Sequence, residues 1–215
     1  GALFPAFLFL YDRAAAHPAP FRRHVPFWLL SASYVQARLT VLNFKDTLNF
    51  YDQSNLLTDH VLVRVYTYLT TMPKGLLLWL WPVDLHHERS WPVFTALSHP
   101  QVWLSLLAVA ALLGLSAWLG RRARVAATGI WWFFIATLPT SNLVALINAV
   151  LYDHWFILPG IGLMMAVGQG LELAFARGAR ARRTATVISA AAILTCAALT
   201  VRANRTWRDP VTLYS

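Results

Sequence analysis

Four stretches of this chain, 101–120, 125–139, 155–176 and 184–201, run almost without a charged side chain. Most of them approach the ~20 residues that an α-helix needs to cross the hydrocarbon core of a bilayer. No water is available there to satisfy the backbone, so such runs are limited to helices whose N–H and C=O groups bond within the segment. The expected fold class is therefore an all-α, polytopic helical membrane protein. Composition agrees: 58% of residues are apolar and 13% charged, against roughly 25% charged in a soluble domain. A further apolar run, 2–11, follows Gly1 directly without a signal-peptide pattern, as expected of a piece cut from a longer protein. The single cysteine, Cys196, lies inside an apolar run, so no internal disulfide or cysteine metal cluster is expected.

The formal net charge of +9 raises the question of nucleic acid, and the positions of the charges answer it. Arg13, Arg22 and Arg23 follow the first run, Arg121, Arg122 and Arg124 another, and Arg177, Arg180, Arg182 and Arg183 a third. Clusters between spans are the pattern of cytoplasmic loops under the positive-inside rule, which makes lipid, and not nucleic acid, the partner. With those clusters inside, 25–42 goes out, 101–119 in, 125–138 out, 155–176 in and 184–201 out. Loops 43–100 and 139–155 and the C-terminus are then outside. Parity requires that 43–100 begin and end on the outer side although it contains the apolar stretch Gly75–Pro82. The residues Pro73, Lys74, Trp79 and Trp81 favour an interfacial or re-entrant helix there, because tryptophan prefers the headgroup level. A pair of short spans is the alternative. The domain division is 1–201 as a multi-helix membrane domain and 202–215 as an outer segment.

Unusual residues gather on the expected outer face. Asn43–His60 holds Lys45, Asp46, Asp52, Asp59 and His60; 84–100 holds Asp84, His86, His87, Glu88 and Arg89; the loop after Leu138 holds Asn142, Asn148, Asp153 and His154. Ionisable groups at the membrane face a polar cavity or a partner more often than lipid. For Asp153 and His154 a functional role and an ordinary helix-capping loop end both stand. His86, His87 and Glu88 are of zinc-ligand type, but adjacent histidines do not share a helix face as ligands at i and i+4 do, so no metal is expected. Arg38, Arg64 and Lys74 are either phosphate-binding cations or interfacial side chains that snorkel.

The segment 138–162, LPTSNLVALINAVLYDHWFILPGIG, resembles part of the transmembrane and tetratricopeptide-repeat-containing O-mannosyltransferases and their bacterial relatives. That family has a Pro-x-Ser-Asn-Leu element, matched here by Pro139, Ser141, Asn142 and Leu143. A charged pair follows at the spacing kept here by Asp153 and His154, and then Leu-Pro, matched by Leu158 and Pro159. The family pair is commonly Glu-Arg; a carboxylate and a histidine resemble the bacterial branch. Trp81, Pro82, Leu85, Glu88 and Ser90 resemble a second element, with Glu88 at its acidic position. Arg202, Asn204, Trp207, Leu213 and Tyr214 resemble the passage from the last membrane helix into the repeats.

The resemblance implies a GT-C-like glycosyltransferase of the bacterial inner membrane. It would transfer a sugar, such as mannose, from a polyprenyl-phosphate donor to a protein or glycan acceptor on the outer face, without a cofactor. The family's catalytic carboxylate is expected in a first outer loop preceding Gly1. The candidates for donor phosphate or sugar binding are His154, Asp153, Arg64 and Lys74, with Glu88 and Asn142 on the acceptor side or behind the donor contacts. The rival class is a non-enzymatic membrane anchor or scaffold that displays repeats outside.

Overall fold

The computed structural model describes residues 2–15, 19–42, 55–86, 88–144, 146–147 and 149–206, and among these the regular structure is entirely helical. Lys45, Asp46 and Asp52, together with His87, Asn148 and residues 207–215, lie outside the described residues. In chain order the helices are α1 (Phe4–Ala14), α2 (Val25–Leu39), α3 (Leu56–Asp59), α4 (Val61–Leu80), α5 (Pro100–Leu119), α6 (Arg124–Thr137), α7 (Ile157–Ala176) and α8 (Ala179–Thr206).

Local chemistry explains the boundaries. Proline stands in the first turn of α1, α2 and α5, where its missing N–H costs no helical hydrogen bond. Asn55 caps α3 by accepting from Leu57 N at 2.8 Å and Thr58 N at 3.1 Å, while Thr58 Oγ1 accepts from Asn55 N at 2.7 Å. Gly178 makes the reversal between α7 and α8 with φ of +113°, a conformation that side chains other than glycine's rarely allow.

Three helical segments have the length and apolar composition to cross a membrane: Pro100–Leu119, Asp153–Ala176 and Ala179–Asn204. The chain thus has the make-up of a membrane protein. The runs read as spans at 25–42 and 125–138 are helical but shorter, with 15 residues in α2 and 14 in α6. At 1.5 Å per residue α6 is only about 21 Å long. It nevertheless lies lengthwise between two longer helices, and a 3-10 turn at Leu138–Thr140 extends it. Ser116 Oγ of α5 donates to Ala127 O at 3.2 Å, and the Ala126 N–H of α6 donates to Gln169 Oε1 of α7 at 2.9 Å.

Small residues bring α6 and α7 together. Gly129 and Gly162 meet so closely that a Cβ on either would overlap the other's carbonyl oxygen. Close approach of this kind is how helices associate in lipid, where burying apolar surface supplies little driving force. Toward the N-terminal end of α7, Met72, Phe133, Leu151 and Phe156 form a buried cluster that joins α4, α6 and the loop before α7. Phe7 of α1 stacks on Trp132 of α6 with centroids 4.0 Å apart.

Two sequence expectations change in shape. Gly75–Pro82 is not a separate short element, because 75–80 completes the 20-residue helix α4 that begins at Val61. The charged and hydroxyl residues Arg64, Thr67, Thr70 and Thr71 hide the first half of that helix from a search for apolar runs. Helix α8 also continues unbroken through Val201 to Thr206, so the outer segment expected from 202 begins as helix.

Candidate functional site

The end of the bundle where α6 finishes and α7 begins is polar. A stripe of hydroxyls on α4 builds its floor: Thr67, Thr70 and Thr71 are all buried. Thr70 Oγ1 and Thr71 Oγ1 each donate to the carbonyl three residues back, at 2.7 Å, which removes their donor cost within the helix. The extended segment 89–96 docks on this stripe. Trp91 Nε1 donates to Thr70 Oγ1 at 3.0 Å and Phe94 N to Thr67 Oγ1 at 3.1 Å. Tyr68 OH lies 2.7 Å from Thr137 Oγ1, tying α4 to the end of α6.

Beside the stripe lies a small cleft whose cavity volume is about 10 Å³, room for roughly one water. Arg64, Thr67, Tyr68 and Thr71 line it from α4, and Thr140, Ser141 and Asn142 from the loop after α6. The structure thus brings together two of the sequence candidates, Arg64 and Asn142. The Arg64 Nε and Nη2 donate to the carbonyls of Leu57 and Thr58, the second at 2.6 Å, which leaves Nη1 without a partner among the described residues. A guanidinium held in this way keeps donors toward an anion without having to order a long side chain.

Asn142 has a mainly architectural place. It is buried with φ of +59°, a left-handed conformation that asparagine tolerates better than most residues. Its Nδ2 donates to Ala149 O at 2.9 Å, and its Oδ1 accepts from Ile147 N at 2.8 Å. Both ends of the amide therefore close the loop over residues 142–149. Ser141 Oγ donates to Leu138 O at 2.6 Å and accepts from Leu143 N at 3.1 Å. The side-chain polar atoms of the Ser-Asn pair thus organise one rim of the cleft.

Asp153 starts the 3-10 turn that leads into α7, and its partner is not the adjacent His154. Arg89 Nε and Nη2 donate to Asp153 Oδ1 and Oδ2 at 3.1 and 2.9 Å, a two-pronged pair. The His86 backbone N–H adds a third donor at 2.8 Å. The two side chains are 12% and 7% exposed, so this ion pair is largely removed from water. Arg89 also donates through Nη2 to the Asp84 carbonyl, and its own N–H donates to Leu151 O at 3.1 Å. The hydrogen bond from Arg89 to Asp153 is the first reason that its guanidinium pKa is raised. The exposed Asp84 carboxyl, 3.0 Å from His86 Nε2, is held below its ordinary value chiefly by that hydrogen bond. Whatever Asp84 contributes is therefore present above the ordinary carboxylate pKa and lost only as pH falls through the lowered one.

The remaining candidates stand apart. His154 is exposed and packs among the rings of Tyr152 and Trp155, with centroids 5.3 and 6.4 Å away. Lys74 is half-buried on α4, one turn beyond Thr70 and Thr71, without a hydrogen-bond or ion-pair partner among the described residues. Glu88 is exposed, next to Arg89. Among the described residues no three His, Cys, Asp or Glu side chains converge as a metal site would need.

Sequence reasoning assigns no role to Arg89 or to the threonine stripe. The stripe has a signal: Thr67, Thr70, Thr71 and Lys74 recur at i, i+3, i+4 and i+7, a polar face on an otherwise apolar helix. Arg89 has none, because its partner lies 64 residues away. No family model, no curated protein and no solved structure matches the chain.

Proposed function

We propose that the chain is the membrane half of a GT-C-like glycosyltransferase, in which the Arg64 cleft receives the phosphate of a polyprenyl-phosphate-linked sugar at the outer membrane surface. The observation that carries this reading is the composition of the cleft. The Arg64 guanidinium, with one nitrogen left without a partner among the described residues, lines it together with Thr67, Thr71, Thr140 and Ser141. Transfer from such a donor needs a cation to stabilise the departing phosphate and hydroxyls or amides to orient the sugar. Arg64 supplies the first, and Thr67, Thr71 and Ser141 belong to the second class. His154, exposed and outside the cleft lining, is assigned a further contact to the donor on the resemblance alone. Helix α4, which carries Arg64 and Lys74 and is not among the three helices apolar enough to span, is read as the interfacial or re-entrant element. The sugar is mannose by the resemblance, the acceptor is a protein or glycan, and the membrane is the bacterial inner membrane.

A scaffold reading has its own observation. Asp153, Asn142 and two of the three Arg64 nitrogens are consumed by contacts within the protein, as a retained fold without activity would also have them. Two substitutions in the full-length protein separate the readings. His154→Ala removes an exposed side chain, and Arg64→Lys keeps the charge while losing the fork that grips two carbonyls. Each is expected to weaken donor binding or transfer from polyprenyl-phosphate mannose roughly 10- to 150-fold, the equivalent of one charge-assisted hydrogen bond. Unchanged donor affinity and turnover in folded forms of both variants would leave the scaffold reading in possession.

A further inference from the structure

The opposite end of the bundle carries the densest charge on α5–α8. The turn between α5 and α6 holds Arg121, Arg122 and Arg124, and the turn between α7 and α8 holds Arg177, followed by Arg180, Arg182 and Arg183. The bonds from Ser116 to Ala127 and from Ala126 to Gln169 put these two turns at the same end. Between residues 101 and 206 the only carboxylates are Asp153, at the far end, and Glu172. None of these arginines forms an ion pair among the described residues. Like charges gathered in this way repel one another unless an anion joins them.

The surface beside them is apolar and open. Trp118 on α5, Leu173 and Phe175 on α7, and Val187 and Ile188 on α8 are exposed. Arg122 lies over the Trp118 ring, 4.5 Å from its centroid, which holds a cation at the border between the charged end and the apolar faces. A soluble anion would meet the arginines and leave that apolar surface uncovered. We infer that this end binds an anionic phospholipid, with the phosphate held between the two arginine turns and the acyl chains laid along the exposed faces of α5, α7 and α8. The inference does not depend on the proposed sugar transfer, because its site lies at the other end of the bundle.

The test uses the full-length protein in phosphatidylcholine nanodiscs with increasing phosphatidylglycerol, reading retained lipid by native mass spectrometry. A basic residue near an anionic surface contributes about fivefold in binding, so losing three costs on the order of a hundredfold. Phosphatidylglycerol retention is expected to fall by that factor in Arg121→Gln/Arg122→Gln/Arg124→Gln and in Arg180→Gln/Arg182→Gln/Arg183→Gln. Arg202→Gln, at the far end of α8, should leave it unchanged. Since removing arginines alters membrane insertion in some proteins, the wild type supplies a second arm: retention must fall steeply as salt is raised. Retention that is indifferent to salt, or equal in wild type and both triple variants, overturns the inference. So does equal thermal stabilisation by millimolar inorganic phosphate, which would identify a site for soluble anions.

Discussion

Replacing Gly162 by leucine is expected to force α6 and α7 apart and to cost about 3 kcal/mol or more of stability, at or beyond the upper end of core overpacking. A Cβ at Gly162 would overlap the Gly129 carbonyl oxygen and come within 2.9 Å of Trp132 Cβ and 3.0 Å of the Phe133 nitrogen. Two of those three atoms are backbone, so no rotamer change relieves the overlap and the helices must separate. Separation would also break the bond from Trp132 Nε1 to Leu158 O and the bond from Ala126 N to Gln169. Gly168, on the same helix, has nothing within 4 Å of its Cβ position. Gly168→Ala should therefore be neutral or stabilising by up to about 1 kcal/mol, through helix propensity alone. Thermal unfolding of the purified variants in one detergent reads the contrast. Similar midpoints for Gly162→Leu and Gly168→Ala would mean that the two helices do not meet at Gly129 and Gly162.

The second large effect is expected at Arg89. Arg89→Ala leaves the Asp153 carboxylate, 7% exposed, with a single backbone donor in place of three N–H contacts. Breaking a buried pair from one side typically costs about 3–5 kcal/mol because the remaining charge stays uncompensated. Relaxation of the loop toward water would hold the value near the lower figure. Arg89→Ala with Asp153→Ala, measured with both single variants, gives the coupling directly. A coupling of about 2 kcal/mol or more is the expected result, with Asp153→Ala alone costing less than Arg89→Ala. A coupling below about 0.5 kcal/mol would class the pair with exposed surface bridges and remove it as the fastener between the 84–96 segment and the start of α7.

The long apolar helices are legible in the sequence because their signal is local. A run such as 101–119 has the length and apolar composition to cross a membrane, and proline in its first turn marks where the helix begins. Helix α4 is half legible: its apolar end, 75–80, stands out, while its first half looks polar because Thr70 and Thr71 bond back to the helix's own carbonyls and Thr67 and Thr70 meet the distant Phe94 and Trp91 only in the fold. The site is the least legible part. Asp153 and His154 read as one charged pair because they are neighbours in sequence, but successive residues of a tight turn point apart. The carboxylate instead meets Arg89, a contact that no periodicity or spacing announces. Asn142 resembles a binding residue in the sequence, and its left-handed backbone shows why an asparagine suits that position even without a ligand.

Everything proposed for the two ends of the bundle depends on their lying on opposite sides of a membrane. The most direct test introduces one cysteine at a time into a Cys196→Ala background, at exposed Ser90 beside the Arg89 pair and at exposed Arg122 in the arginine turn. A membrane-impermeant maleimide applied to intact cells is expected to label Ser90→Cys at once and Arg122→Cys only after the membrane is opened. Labelling of both from the outside, or of Arg122→Cys alone, would contradict the account.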